Sequence, residues 1–176
     1  MKAALILAFV GVCFASSVSL DSLKRAELSI NDKFQSDIND PYDLMGTARG
    51  VYVPGYGVVF TVEMNVITVP QLMVSPFSPP PTTADLLKLN ERKVRKIAVL
   101  RDAMRSLMLN VSQSLPGLAP GENIMMEAFL FNWSWENVKG VPHRIVLAVN
   151  RQKLLDAVNR HAPAGEIQAL FEDREL

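Results

Sequence analysis

Thiol chemistry is almost absent from this chain: Cys13 is the only cysteine in 176 residues, and it lies in an apolar N-terminal stretch. Removal of that stretch excludes disulfides, thiolate metal sites and cysteine nucleophiles together. Histidine is equally scarce. His143 and His161 are the two present, and no carboxylates stand at a spacing that completes a zinc site with them. No metal or cofactor is therefore expected. Excess charge of either sign is also missing, since Lys plus Arg and Asp plus Glu both number 18. No global field draws the protein to nucleic acid. Nucleophile elbow, Walker loop, dinucleotide fingerprint and zinc-protease motif are all lacking. Together these absences favour a noncatalytic domain that acts by binding or in envelope structure.

Hydrophobic residues make up 49% of the chain and charged residues 20%, an ordinary globular composition for one domain with a packed core. The N-terminus departs from it. Met1 and Lys2 give a short basic start, Ala3 to Phe14 run apolar without a charge, and Ala15, Ser16 and Ser17 are small. This pattern predicts a secretory signal peptide over 1–17, too short for a comfortable bilayer span and cleaved near Ala15 to Ser17. Acylation of Cys13 is disfavoured because Val10 and Val12 put bulk where a small residue is wanted. The mature part, 18–176, is expected to be periplasmic or secreted and free of cysteine.

Along that part, Leu23, Ala26, Leu28, Ile30, Phe34 and Ile38 recur at helical spacing, and Asn39 to Pro41 end the helix. Arg49 to Val53 and Val58 to Ile67 are rich in β-branched and aromatic residues around Pro54, Gly55, Tyr56 and Gly57, which predicts a hairpin with positive φ at one or both glycines. A proline-rich connector follows at 68–81. Thr82 and Asp85 then form a capping-box pattern that opens a long helix ending before Pro116 and Gly117. Its stripe of Leu87, Val94, Ile97, Met104, Met108 and Val111 is expected to face the sheet, leaving Arg92, Lys93, Lys96 and Arg105 in water. Ile124 to Trp135, apolar on both faces, reads as a central strand, and Arg144 to Asn150 as its neighbour. A helix over Arg151 to Arg160 and a short helical or frayed tail over Glu166 to Leu176 complete the order. The fold expected is α+β: a mainly antiparallel four-stranded sheet of two hairpins, packed with one long helix and shorter flanking helices.

Candidate functional residues are few. Glu63 and Glu127 alternate out of phase with the core of their strands, so they can share a face and, as a carboxylate pair, carry acid–base catalysis; an enzyme of that kind is the alternative to a binding domain. Tyr56 at the hairpin turn is placed to touch a ligand. Trp133 and Trp135 fall on one side of their predicted strand: core packing is the simpler account, an apolar ligand groove or protein partner surface the functional one. Arg92 and Lys96 head a basic run on the long helix that suits an anionic surface, although a solvated face explains it as well. Asn110-Val111-Ser112 and Asn132-Trp133-Ser134 match the glycosylation pattern inside a predicted helix and strand, where the match is read as chance.

If the first segment is a signal peptide, mass spectrometry of the product in the extracytoplasmic fraction of its native host will find a chain starting between Ser16 and Val18. A product there that still begins at Met1 would refute cleavage.

Overall fold

The computed structural model of the chain describes residues 17–36, 41–68 and 79–176. Most of the expected signal peptide and of the proline-rich connector lies outside these residues. Helices α1 (Leu20–Gln35), α2 (Thr83–Ser114), α3 (Arg151–Asn159) and α4 (Ala164–Ala169) accompany strands β1 (Asp43–Leu44), β2 (Arg49–Val53), β3 (Gly57–Asn65), β4 (Asn123–Leu130), β5 (Arg144–Asn150) and β6 (Glu172–Glu175). No helix among the described residues is long and apolar enough to cross a membrane.

The α+β class holds, but the sheet is mixed and, among the described residues, six-stranded in the order β1-β3-β4-β5-β6, with β2 also on β3. Strands β1 and β2 share one edge of β3, β1 opposite Met64 and Asn65 and β2 opposite Gly57 to Thr61. The correction to the expected antiparallel sheet is the β3–β4 pair, which is parallel from Gly57↔Asn123 to Met64↔Leu130. Parallel neighbours need a long crossover rather than a turn. Helix α2 supplies it, 32 residues or about 48 Å at 1.5 Å per residue.

The hairpin between β2 and β3 forms as its turn chemistry predicts. Gly55 has φ 80° and Gly57 φ 132°, and a Cβ on Gly57 would sit 1.9 Å from the Asn123 carbonyl oxygen. The turn is thus fastened to the start of β4, where the Asn123 amide donates to the Tyr56 carbonyl at 2.7 Å. The long helix also starts as expected, with Thr82 Oγ1 accepting from the Asp85 amide and the Asp85 carboxylate accepting from the Thr82 amide. The Thr82 hydroxyl, which donates to the same carboxylate at 2.6 Å, and after it the Thr82 amide hold the Asp85 carboxyl below its ordinary range.

Even-numbered residues of β3 and β4 and odd-numbered residues of β5 point to the helices. Phe60, Val62, Met64, Ile124, Met126, Ala128, Ile145 and Leu147 meet Ile97, Leu100, Met104, Leu107, Met108 and Val111 of α2 and Ile30 and Phe34 of α1 in one core. Helix α1 also shields the outer edge of the sheet. Asn31 Oδ1 accepts from the Ala48 amide at 2.9 Å and a Glu27 oxygen from the Gly50 amide at 2.7 Å, so these edge donors do not stand open.

The first turns of α2 depart from the expected stripe. Leu87 is 52% and Val94 41% exposed, whereas Lys93 is 1% and Lys96 7% exposed. Arg92 and Arg105 are half-buried rather than solvated. Strand β4 stops at Leu130, so Trp133 and Trp135 belong to the connection that follows it. The tail begins as the expected short helix, the end of α4, but then forms a strand: β6 pairs antiparallel with β5 from Ala148↔Glu172 to Ile145↔Glu175. Arg101 reaches Asp173 and Glu175, and Arg105 reaches Asp173.

With this phase, Met104→Ala is expected to cost about 2–5 kcal/mol through lost burial and a residual cavity, and Leu87→Ala to stay within about 0.5 kcal/mol. Urea unfolding monitored by circular dichroism checks both. Equal costs at the two positions would put the helix in the wrong rotation.

Candidate ligand-binding face

The described helices that touch the sheet bury their apolar residues on one side of it; on the other, Lys153 of α3 and Leu170 reach one end, and no described element covers the rest. The register places that second face row by row. Val51, Val59, Met125 and Ala148 lie side by side across β2, β3, β4 and β5. The next row runs Arg49, Thr61, Glu127, Val146, Arg174, and the one beyond joins Glu63, Phe129 and Arg144. An apolar row is thus bordered by charges of both signs. Val51 is 58% and Phe129 36% exposed, while Val59, Met125, Val146 and Ala148 are half-buried among their neighbours. Sequence reasoning read β4 as a central strand from its two-sided apolarity, and it does lie between β3 and β5; on this face its side chains are half-buried to exposed.

At one end of this face a cavity of about 380 Å³ opens among Tyr56, Asn123, Lys153, Leu170, Glu172 and Arg174. Its floor is Met125, Val146 and Ala148. A turn, the start of a strand, the first turn of α3 and the C-terminal strand converge there. Glu172 and Arg174 bond each other at 3.0 Å. Burial raises the Tyr56 phenol above its ordinary pKa, the Glu172 charge adds to the rise, and Arg174 opposes it. The hydroxyl therefore stays protonated and able to donate through the neutral range.

The two glutamates do share the open face, but they do not share a cavity. Glu127 is paired with Arg144 at 3.0 Å, and the Arg144 guanidinium also lies 4.8 Å from the centre of the Phe129 ring. Glu63 stands opposite Phe129 in register and lines a separate hollow of about 220 Å³ with Arg49, Thr61 and Phe129. Each carboxylate has its own surroundings.

Trp133 and Trp135 lie together in the β4–β5 connection, their rings nearly parallel with centroids 6.3 Å apart, and Phe131 meets Trp133 edge-on at 5.2 Å. The connection is fixed to α2. Asn90 Nδ2 donates to the Asn137 and Lys139 carbonyls at 2.7 and 3.0 Å. Lys93 Nζ donates to Asn132 Oδ1 at 2.9 Å and to the Glu136 carboxylate. Asn132 lies in a connection rather than in the strand expected for its glycosylation pattern, and its Nδ2 donates to the Leu130 carbonyl at 3.2 Å. Lys96 is spent internally as well, donating to the Pro41 carbonyl at 3.1 Å and lying 4.3 Å over the Tyr42 ring. With Arg101 and Arg105 turned to β6, the basic run of α2 serves the fold along much of its length.

Sequence reasoning missed Asn123, Lys153 and Arg174, which only the topology brings to Tyr56, and the Lys93–Glu136 pair. A lysine four residues before Ile97 was the available signal for that pair, since Lys93 falls on the stripe as Val94 does not. Among the described residues no group of three or more His, Cys, Asp or Glu side chains is placed to hold a metal ion. The chain matches no protein-family model, no curated protein and no solved structure, so the chemistry of the face rests on its own geometry.

The Lys93–Glu136 pair is almost fully buried on both sides. Burial pushes the Lys93 ammonium below its ordinary 10.5 despite the attraction of Glu136. Removing one charge of such a pair strands the other: Lys93→Met should cost about 3–5 kcal/mol, and Lys93→Met with Glu136→Leu should recover most of it. The sign with pH follows. Between the depressed value and 10.5 the unfolded chain holds a proton that the folded chain has released, so this group's contribution to stability rises with pH. Urea midpoints of wild type and Lys93→Met across pH 8 to 10.5 check it; the rise should be absent from the variant.

Proposed function

We propose that the chain is an exported, noncatalytic domain that acts by binding, and that its binding surface is the uncovered face of the sheet. One observation carries this reading: Val51, Val59, Met125 and Ala148 form an apolar row continuous across strands, with Phe129 beside it, on a face that described elements reach only at one end. Apolar surface grouped in this way and rimmed by polar side chains is the mark of an interaction site, whereas single exposed apolar residues are ordinary. Export rests on the N-terminal sequence pattern.

The enzymatic alternative has less support. Acid–base work by two carboxylates needs a shared, water-poor site that separates their pKa values, and Glu63 and Glu127 face different neighbours, with Glu127 bonded to Arg144. An anionic surface along α2 also has less support, because Lys96 is buried against Tyr42 and Arg101 and Arg105 are engaged by β6.

Hydroxyl-radical footprinting tests the proposal. In the purified protein Met125 and Phe129 should be labelled. In the extracytoplasmic fraction of the native host they should be protected, while Leu28 and Val99 on the helices keep their labelling. Equal labelling of the face in both settings would count against it.

A further inference from the structure

The cavity beside Tyr56 has a chemistry of its own, narrower than that of the face around it. Its floor and one wall are aliphatic or thioether groups from Met125, Val146, Ala148 and Leu170. Its lining includes three polar residues whose side chains make no hydrogen bond to another side chain among the described residues: Tyr56, Asn123 and Lys153. The remaining rim charges cancel, because Arg174 is bonded to Glu172. Asn150 is likewise used up, its oxygen capping the Lys153 amide and its nitrogen donating to the Gly121 carbonyl. One net positive charge remains.

We infer that this cavity binds a small amphipathic carboxylate, its aliphatic body against Met125, Val146, Ala148 and Leu170 and its head on Lys153, within reach of the Tyr56 and Asn123 donors. The inference rests on the binding role proposed for the open face and names the ligand class for one end of it. About 380 Å³ lies near the lower limit of ligand pockets, roughly 300–1,000 Å³, which suits a single short acyl chain. The raised Tyr56 pKa agrees with this, since a phenol that stays neutral donates to a carboxylate instead of repelling it. Asn123 can donate with its NH2 or accept with its oxygen, so it admits either orientation of the head group.

Octanoate and its neutral counterpart octanamide are the probes, read by NMR of methyl-labelled methionine on the full mature chain. Octanoate below its micellar concentration should move the Met125 methyl saturably, and octanamide should bind at least about tenfold more weakly, the ratio set by one charge-assisted hydrogen bond. Lys153→Met, at an exposed position, should leave the spectrum of the free protein unchanged outside the cavity and remove the preference for octanoate. Equal affinity for the two probes, or no saturable shift at Met125, would overturn the inference. Footprint protection of Phe129 in the host fraction alongside a silent Met125 in the titration would reject this ligand while leaving the face a binding surface.

Discussion

A parallel pair of strands cannot be closed by a turn, and the β3–β4 pair is the constraint on which the rest of this structure depends. The chain leaving β3 must return to the end where β3 began, and the return is made over one face of the sheet by α2. Several consequences follow at once. The inner face is roofed by Ile97, Met104, Met108 and Val111. The second hairpin is added beyond β4 and the first hairpin lies beyond β3. The starts of β3 and β4, with the end of β5, are brought to one edge of the molecule. The cavity occupies that edge, so the crossover that buries the core also assembles the site.

A helix of about 48 Å outruns strands of 9 and 8 residues, and the excess length meets connections instead of sheet. This explains why its two halves bury different chemistry. Where α2 lies on the strands, its inward residues are Leu100, Met104, Leu107 and Met108. Where it passes beyond them, the inward residues are Asn90, Lys93 and Lys96, and their partners are backbone carbonyls, Asn132, Glu136 and the Tyr42 ring. Loop backbone carries unpaired carbonyls that a leucine cannot satisfy, and buried carbonyls without donors are costly. Long polar side chains at the helix seam meet that need. The Lys93–Glu136 pair then anchors the tryptophan-bearing connection; its desolvation opposes its attraction, and the arrangement gives position more than stability.

Local chemistry was legible in the sequence and long-range pairing was not. The hairpin was readable because Gly55 and Gly57 permit a turn that other residues resist, and the helix start because Thr82 and Asp85 satisfy each other's amides. Strands β2 and β5 were readable to the residue, β2 from its β-branched and aromatic residues beside the turn. The parallel register was not, since β3 and β4 alternate in the same way whichever direction they pair. Strand β6 was hidden for another reason: Glu172, Asp173, Arg174 and Glu175 have no β preference, and the segment is a strand because Arg101 and Arg105 hold Asp173 and Glu175 while its backbone completes β5. Lys93 and Lys96 were assigned to water because they fall between the positions of the expected apolar stripe, and the partners that draw them inward come from segments more than thirty residues away.

The same division runs through the candidate site. Tyr56 was noticed because an aromatic residue with a polar end stood between two glycines at a turn, where a side chain is exposed for a local reason. Asn123, Lys153 and Arg174 carry no such mark, and each is an ordinary polar residue until the sheet closes. The apolarity of β4 was visible from the first and marked it correctly as a central strand, but it did not show on which face the helices would lie. Met125 and Phe129 alternate with Met126 and Leu130 as they would in a strand covered twice, yet among the described residues the helices lie to one side. An antiparallel strand facing solvent would be expected to turn polar residues outward, and Arg49, Thr61, Glu63, Glu127 and Arg144 do so. The departures from that rule cluster in the row from Val51 to Ala148 and at Phe129, and they lead into the cavity. Val51, Val59, Met125 and Ala148, with Val146 and Phe129 in the rows beside them, are the apolar groups that the proposed binding role would use.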